Sequence, residues 1–286
     1  HNKYLKFFRF IFFLRYLFVI FSISIALFLI IPNYFNYAKR EDLIKSHLLK
    51  NYNFELKEYE KIKFKALPVP KLEIHKAQIN LESSEIKSLV KNLRIYPKFF
   101  SIYNYDNFQT KKIILKDSNI ILNTYQIKFL IDYILNKKEK FILDHLNLVI
   151  NDDDKTIIKL KNIRFSNFGY NKNEISGNVY GKKFKTKIKK DLKSLNFRLL
   201  KSGINANIDF EESKKNDLVI GTFKSKLLNN KLKFNFEHDY KRFNIFNSFF
   251  RSKNLSFNNK SLVILKPYFY TDSKIDILSF NYKIIE

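Results

Sequence analysis

From Phe141 to the C-terminus the chain alternates apolar and polar residues with a period of two, and this pattern restricts the fold more than any other feature. Phe184, Thr186 and Ile188 alternate with Lys183, Lys185, Lys187 and Lys189. Ile204, Ala206, Ile208 and Phe210 alternate with Asn205, Asn207 and Asp209, and Leu232, Phe234, Phe236 and His238 with Lys231, Lys233, Asn235, Glu237 and Asp239. Successive side chains of a strand point to opposite faces, so each run makes a strand with one apolar and one wet face. Ile62, Phe64 and Ala66, set among Lys61, Lys63 and Lys65, repeat the pattern earlier in the chain. Turn-forming stretches separate the runs: Asn151-Asp152-Asp153-Asp154-Lys155, Tyr170-Asn171-Lys172-Asn173, Tyr180-Gly181-Lys182, Lys201-Ser202-Gly203 and Leu228-Asn229-Asn230-Lys231. Asn and Asp tolerate positive φ and stand in for Gly, of which there are five. A strand every eight to twelve residues or so, with no helical interlude, predicts an antiparallel meander.

The first half carries helical signals. Leu43, Ile44, His47 and Leu48 share one side of a helix over Asp42 to Lys50. Ile127, Leu130, Ile131, Ile134 and Leu135 follow the 3.6 period behind Asn123-Thr124. A third, weaker helix is expected over Glu85 to Leu93, capped by Ser83-Ser84.

Tyr16 to Ile31 is uncharged, and the apolar run extends back to Phe10 if Arg15 is tolerated. As a helix this stretch measures roughly 33 Å, close to the hydrocarbon thickness of a bilayer. Arg15 can carry its charge to the headgroups on its long stem, and Tyr16, Tyr34 and Tyr37 flank the span as interfacial aromatics do. A cleaved signal peptide ends in small residues, whereas Pro32-Asn33-Tyr34-Phe35-Asn36-Tyr37 follows here, so the segment is read as an uncleaved anchor. Lys3, Lys6, Arg9 and Arg15 precede it without an acid, while Glu41 and Asp42 follow Lys39 and Arg40 at once. The positive-inside rule then places the N-terminus in the cytoplasm and the rest of the chain outside it. The chain starts at His1 and has no Met, so a short preceding piece is expected. The expected divisions are 1–38, basic stub and transmembrane helix; 39–140, an α+β part; and 141–286, the meander continuing the same sheet.

With 45% hydrophobic and 17% aromatic residues the chain can bury a core, which excludes wholesale disorder. The net charge of +26 accompanies an excess of Lys, Asn, Ile, Phe and Tyr that an A/T-rich coding sequence imposes on any protein, and most lysines mark the wet faces of strands. Export opposes a nucleic-acid role. Without Cys there is no disulfide, thiol catalysis or Cys-ligated metal. His1, His47, His75, His145 and His238 lie on separate elements without a second ligand at metal spacing. Gly177-Asn178-Val179-Tyr180-Gly181-Lys182-Lys183 has the wrong spacing for a phosphate loop and reads as a hairpin turn. Asp152-Asp153-Asp154 lacks the alternating ligands, Gly and distal Glu of a calcium loop and reads as an exposed turn. No catalytic constellation is present; the chain is read as a non-enzyme without cofactor or metal.

The order of these features resembles the N-terminal part of the AsmA-like family, bacterial envelope proteins that include TamB and are related to bridge-like lipid transfer proteins. A basic stub, one span and a helix lead into Leu67-Pro68-Val69-Pro70-Lys71-Leu72-Glu73-Ile74-His75-Lys76-Ala77-Gln78-Ile79, which is similar to the family's proline followed by alternating apolar residues. Asn92 to Phe100 and Lys112 to Ile120 resemble its paired strands, Phe141 to Gly177 the following hairpin, and Val263 to Phe269 a later one. The family's Thr-Gly after the first helix is replaced here by Lys50-Asn51-Tyr52-Asn53. The resemblance implies a single-pass protein of the bacterial inner membrane with a periplasmic β-groove for phospholipid acyl chains, serving outer-membrane assembly and lipid homeostasis.

The expected fold is therefore mainly β: a transmembrane helix, then a long curved antiparallel sheet forming a groove, with two or three short helices. The groove lining is expected from Leu146, Leu148, Ile150, Ile158, Leu160, Ile204, Ile208, Phe210, Leu232, Phe234 and Phe236. Alternation predicts burial but not what covers the buried face, so the same residues also fit an ordinary closed core. A closed core would go with a non-catalytic scaffold that binds envelope protein partners or anionic surfaces.

Overall fold

The computed structural model describes residues 2–82, 85–98, 100–104, 108–152, 155–189, 194–211, 218–239, 241–265 and 268–281. The protein is mostly strand, with a long apolar helix at the N-terminus and two shorter helices. The helices are α1 (Asn2–Ile30), α2 (Glu41–Tyr52) and α3 (Gln126–Asn136). The strands are β1 (Phe54–Glu58), β2 (Lys61–Lys65), β3 (Lys71–Leu81), β4 (Lys87–Pro97), β5 (Thr110–Asn123), β6 (Phe141–Asp152), β7 (Lys155–Ser166), β8 (Glu174–Val179), β9 (Lys182–Ile188) and β10 (Ser194–Leu199). They continue as β11 (Ile204–Glu211), β12 (Val219–Leu227), β13 (Asn230–His238), β14 (Arg242–Arg251), β15 (Leu255–Ile264) and β16 (Tyr270–Phe280). Hydrogen bonding orders them almost entirely by sequence, β1-β3-β4 and then consecutively to β16, with β2 paired to β3 off this path.

The chain divides into two compact units, residues 1–130 with 137–146, and residues 131–136 with 147–286. In the first unit α1 is long and apolar enough to cross a membrane, and its side chains from Lys6 to Leu27 are exposed. α2 ends at Asn53, whose left-handed backbone (φ 54°) lets its amide bond back to the carbonyls of Leu48 and Leu49. Ile44, Leu48 and Tyr52 on the inner side of α2 are buried, as are Ile74, Leu93 and Ile113 on the three central strands. β1 and β2 share one edge of β3: β1 takes Gln78 to Leu81 and β2 takes Lys71 to His75.

The helix expected over Glu85 to Leu93 is instead β4, and Ser83 and Ser84, its expected cap, lie outside the described residues. β4 is hydrogen-bonded on both edges, to β3 and β5, and this pairing overrides a weak local helical preference. Val90, Leu93 and Ile95 are buried, while Leu89 points the other way and is 59% exposed. The other two expected helices are α2 and α3.

The sheet is mixed at one step. The Ile113 amide near the start of β5 donates to the Lys140 carbonyl just before β6, at 3.0 Å, so the two strands begin side by side and α3 carries the chain back between them. The pairings described from β7 to β16 are antiparallel, as the meander pattern requires.

Five strands contain a residue with positive φ in their middle: Lys76 in β3, Asp117 in β5, His145 in β6, Asn162 in β7 and Asn247 in β14. Each falls where the buried parity of its strand changes; at Asn162 and Asn247 the register also shifts, as at a bulge, whereas β3, β4 and β5 keep their register across Lys76 and Asp117. In β5, Ile113 and Leu115 are buried before Asp117, and Ser118, Ile120 and Leu122 after it. Without this break in parity the second half of the strand would turn its apolar residues to the opposite face.

Glu73 on β3 is a buried acid, 2% exposed. Its carboxylate contacts Lys65 Nζ at 2.6 Å, Lys71 Nζ at 3.2 Å and Arg94 Nε at 3.2 Å.

Candidate functional site

In the second unit the register of each hairpin decides which side chains share a face. Ile188, Leu195, Ile208, Phe223 and Phe234 are directly opposed partners in succession from β9 to β13. A parallel row, Ile175, Thr186, Phe197, Ala206, Ser225, Leu232, Phe250, Phe257 and Ile277, runs from β8 to β16. At ~4.8 Å per strand this row is roughly 38 Å long. Tight turns hold the register: Tyr180-Gly181 with φ 47° and 74°, Lys201 with Gly203, and Leu228.

Aromatic rings pave the face. Phe184 stacks on Phe197 (centroids 5.8 Å apart), Phe223 on Phe234 (4.7 Å), Phe236 on Phe243 (5.4 Å) and Phe250 on Phe257 (5.1 Å). Two rings lie across glycines. A Cβ on Gly221 would stand 2.6 Å from the Asp209 carbonyl oxygen and 2.9 Å from Phe236 Cζ, and one on Gly177 would stand 3.0 Å from Phe184 Cε1. Gly221→Ala is expected to lift the Phe236 ring and destabilise β11 to β13 by about 1 to 3 kcal/mol, as overpacking does. Hydrogen exchange of the β12 and β13 amides measures this; unchanged protection would mean that the ring does not rest on that glycine.

In the first unit the apolar strand residues and Ile44, Leu48 and Tyr52 of α2 are buried, but the second unit leaves its apolar face half covered. From β10 onward, Ala206 and Phe236 are the only buried apolar side chains among the described residues, and the other members of the rows are half-buried or exposed. The opposite face is basic. Lys185, Arg198, Asn205, Lys226, Lys231 and Arg251 are successive opposed partners, and Lys224 faces Lys233. Like charges directly opposed are unfavourable, and their exposure to water and salt moderates the cost.

Eight of the residues expected to line a groove share this apolar face: Ile158, Leu160, Ile204, Ile208, Phe210, Leu232, Phe234 and Phe236. Leu146, Leu148 and Ile150 lie on β6, where Leu146 is buried in the first unit and Leu148 is buried in the second. Sequence reasoning did not name Phe197, Phe223, Ile245, Phe250 and Phe257, which the register adds. Their signal was partly present, since each lies two residues from another member of the face, but bulges and short strands broke the longer alternation.

The alternatives to an apolar surface are weaker. His47 lines a cavity of about 400 Å³ with Asn51, Phe108, Thr110 and Glu139. Its Nε2 is 3.1 Å from Thr110 Oγ1, and its Nδ1 is 2.9 Å from Asn51 Nδ2. Burial pushes the imidazole below its ordinary pKa, against the Phe108 backbone and the Glu139 charge. The neutral ring is held by amide and hydroxyl groups, without a carboxylate orienting it. Among the described residues no cluster of three His, Asp or Glu could hold a metal. Asp153 and Asp154 of the acidic turn lie outside the described residues.

What the apolar face can do is shelter hydrocarbon. Beside the rows, His238 Nδ1 lies 3.1 Å from the Arg242 carbonyl oxygen. Comparison with family models, curated proteins and solved structures gives no match to this chain.

Proposed function

We propose that this protein is anchored by α1 in the bacterial inner membrane with the rest of the chain in the periplasm, and that its second unit presents a surface on which phospholipid acyl chains travel. The observation that carries this reading is the pair of in-register apolar rows, half-covered and aromatic, over β8 to β16. Each CH₂ kept from water is worth about 0.8 kcal/mol, so a continuous apolar surface lowers the barrier to moving a lipid through an aqueous space. The exposed apolar side chains of α1 need a nonpolar solvent, which a bilayer supplies. The resemblance to AsmA-like proteins points the same way and adds the role in outer-membrane assembly and lipid homeostasis. No chemical step or cofactor is required.

The basic ladder on the other face supports a second reading, an envelope scaffold that holds acidic partners through its lysines. Photo-cross-linking in cells separates the two. A benzophenone-bearing phenylalanine analogue placed at position 223 of the full chain is expected to yield phospholipid adducts, detected by mass spectrometry after proteolysis. The same probe at position 224, on the basic face, is expected to yield at least tenfold less. Protein adducts at 224 with no lipid adducts at 223 would replace the lipid reading by the scaffold.

A further inference from the structure

The end of α1 is not a loose tether. The Tyr103 hydroxyl donates to the Phe28 carbonyl, and the two rings lie 4.8 Å apart. Farther along, the Arg40 guanidinium sits 4.1 Å above the Phe35 ring and donates to the Ile102 carbonyl. These contacts clamp the helix end against the chain that joins β4 to β5, and a cavity of about 520 Å³ opens between them.

The cavity has two kinds of wall. Phe28, Leu29 and Pro32 form an apolar side from the end of α1 and its following turn, while Lys98, Lys111 and Lys112 come from the adjoining ends of β4 and β5. None of these three lysines makes an ion pair among the described residues. Lys98 Nζ donates to the neutral Gln109 side-chain carbonyl at 2.8 Å, and Lys112 Nζ lies 4.8 Å from the centre of the Tyr96 ring. A fourth lysine of the cavity, Lys71, is already paired with Glu73 at 3.2 Å. Three uncompensated cations beside an apolar helix end are complementary to a phosphate joined to hydrocarbon.

We propose that this cavity holds the headgroup of one anionic phospholipid belonging to the bilayer that α1 crosses. The proposal rests on the reading of α1 as a membrane span and is independent of the apolar face of the second unit. Phe28 and Leu29, in the last turn of α1, lie at the depth where acyl chains meet headgroups, and the lysine stems reach across this boundary. The phosphate lies among Lys98, Lys111 and Lys112, and the acyl chains run back along α1. Lipid phosphate, and not free phosphate, is the intended ligand because the wall opposite the lysines is hydrocarbon.

The test uses the full chain in nanodiscs made of equal parts phosphatidylglycerol and phosphatidylcholine, released into mild detergent and analysed by native mass spectrometry. The expected result is one retained phosphatidylglycerol, favoured at least tenfold over phosphatidylcholine. Lys98→Gln/Lys111→Gln/Lys112→Gln should remove that selectivity, whereas the charge-matched Lys183→Gln/Lys187→Gln/Lys226→Gln on the second unit should keep it. Lys98→Gln/Lys111→Gln, which leaves Lys112 on its ring, should lose most of the selectivity and guards against a packing defect. Retention without headgroup preference, equal loss in the matched triple variant, or displacement by excess inorganic phosphate would each overturn the site. A chain that fails to enter the discs would overturn this site and the membrane anchor together; an inserted chain with no selective lipid overturns the site alone.

Discussion

Phe234→Asp/Phe236→Asp is expected to reduce phospholipid cross-linking from position 223 by at least a hundredfold. Phe234 stacks on Phe223 and meets Phe236 and Phe243 edge-on at 6.3 and 6.5 Å, so it joins the aromatic groups of four neighbouring positions into one patch. A lipid chain crossing this patch would meet two ionised carboxylates in place of two rings. Each lost ring removes about 1.5 to 3 kcal/mol of apolar contact, and an unpaired charge against hydrocarbon costs several kcal/mol more. Phe236 is buried, so the double variant also loosens the sheet. Phe234→Asp alone, at a half-buried position, is therefore the companion variant, with an expected loss of at least tenfold and with β12 to β14 still protected from hydrogen exchange. Lys233→Asp on the same strand faces the other way and should leave lipid adducts unchanged. Equal cross-linking in Phe234→Asp and the unaltered chain would remove the apolar face from lipid handling.

Glu73→Gln is the second large effect, and it concerns stability. The Glu73 carboxylate is the common partner of Lys65, Lys71 and Arg94, and Lys71 is itself only 12% exposed. Removing the acid leaves those cations without their shared anion; because Lys65 is 53% and Arg94 27% exposed, water takes up part of the loss, and the cost is about 1 to 3 kcal/mol. Protection of the β3 and β4 amides should fall by about tenfold to a hundredfold, with the second unit unaffected. Burial pushes the Glu73 carboxyl up, but contacts with Lys65 and Lys71 outweigh it and hold the pKa below the usual glutamate value. A lowered folded-state pKa contributes stability that is complete above the ordinary value of about 4.3 and is lost as the pH falls through the folded value. As the pH falls below about 4.3 the unaltered chain should begin to approach Glu73→Gln in β3 and β4 exchange, while above pH 5 the two should differ fully. Parallel pH profiles for the two chains would mean that the carboxylate is not ionised among its three cations.

Much of this architecture is legible in particular residues. Lys183 to Lys189 announces β9, Leu232 to His238 announces β13, and Tyr180-Gly181 and Lys201-Ser202-Gly203 announce the turns that follow β8 and β10, because side-chain direction in a strand is a local property. The uncharged run from Tyr16 to Ile31 announces α1 for the same reason: its hydropathy needs no tertiary partner. β4 was misread as a helix because nothing in Glu85 to Leu93 reveals that both edges of this segment are taken by β3 and β5. The breaks in alternation were equally hidden. Lys76 does not favour positive φ, and Asp117 and His145, whose types adopt it more readily, occur too often in ordinary strands to mark a break.

The candidate sites divide along the same line. Sequence periodicity alone determined that Ile204, Ile208, Phe210, Leu232, Phe234 and Phe236 each occupy the apolar side of a strand, since that follows from parity within a short run. Only the tertiary structure decided that these residues line up across strands with Phe197, Phe223 and Phe250, because register depends on turns and bulges outside each run. It also decided which apolar face is covered: α2 meets β1 and, through His47 and Tyr52, Thr110 of β5, whereas side chains from β10 onward remain largely half-buried. The three lysines beside Phe28 and Leu29 lie about seventy residues or more from the helix in the chain, a distance that only folding closes.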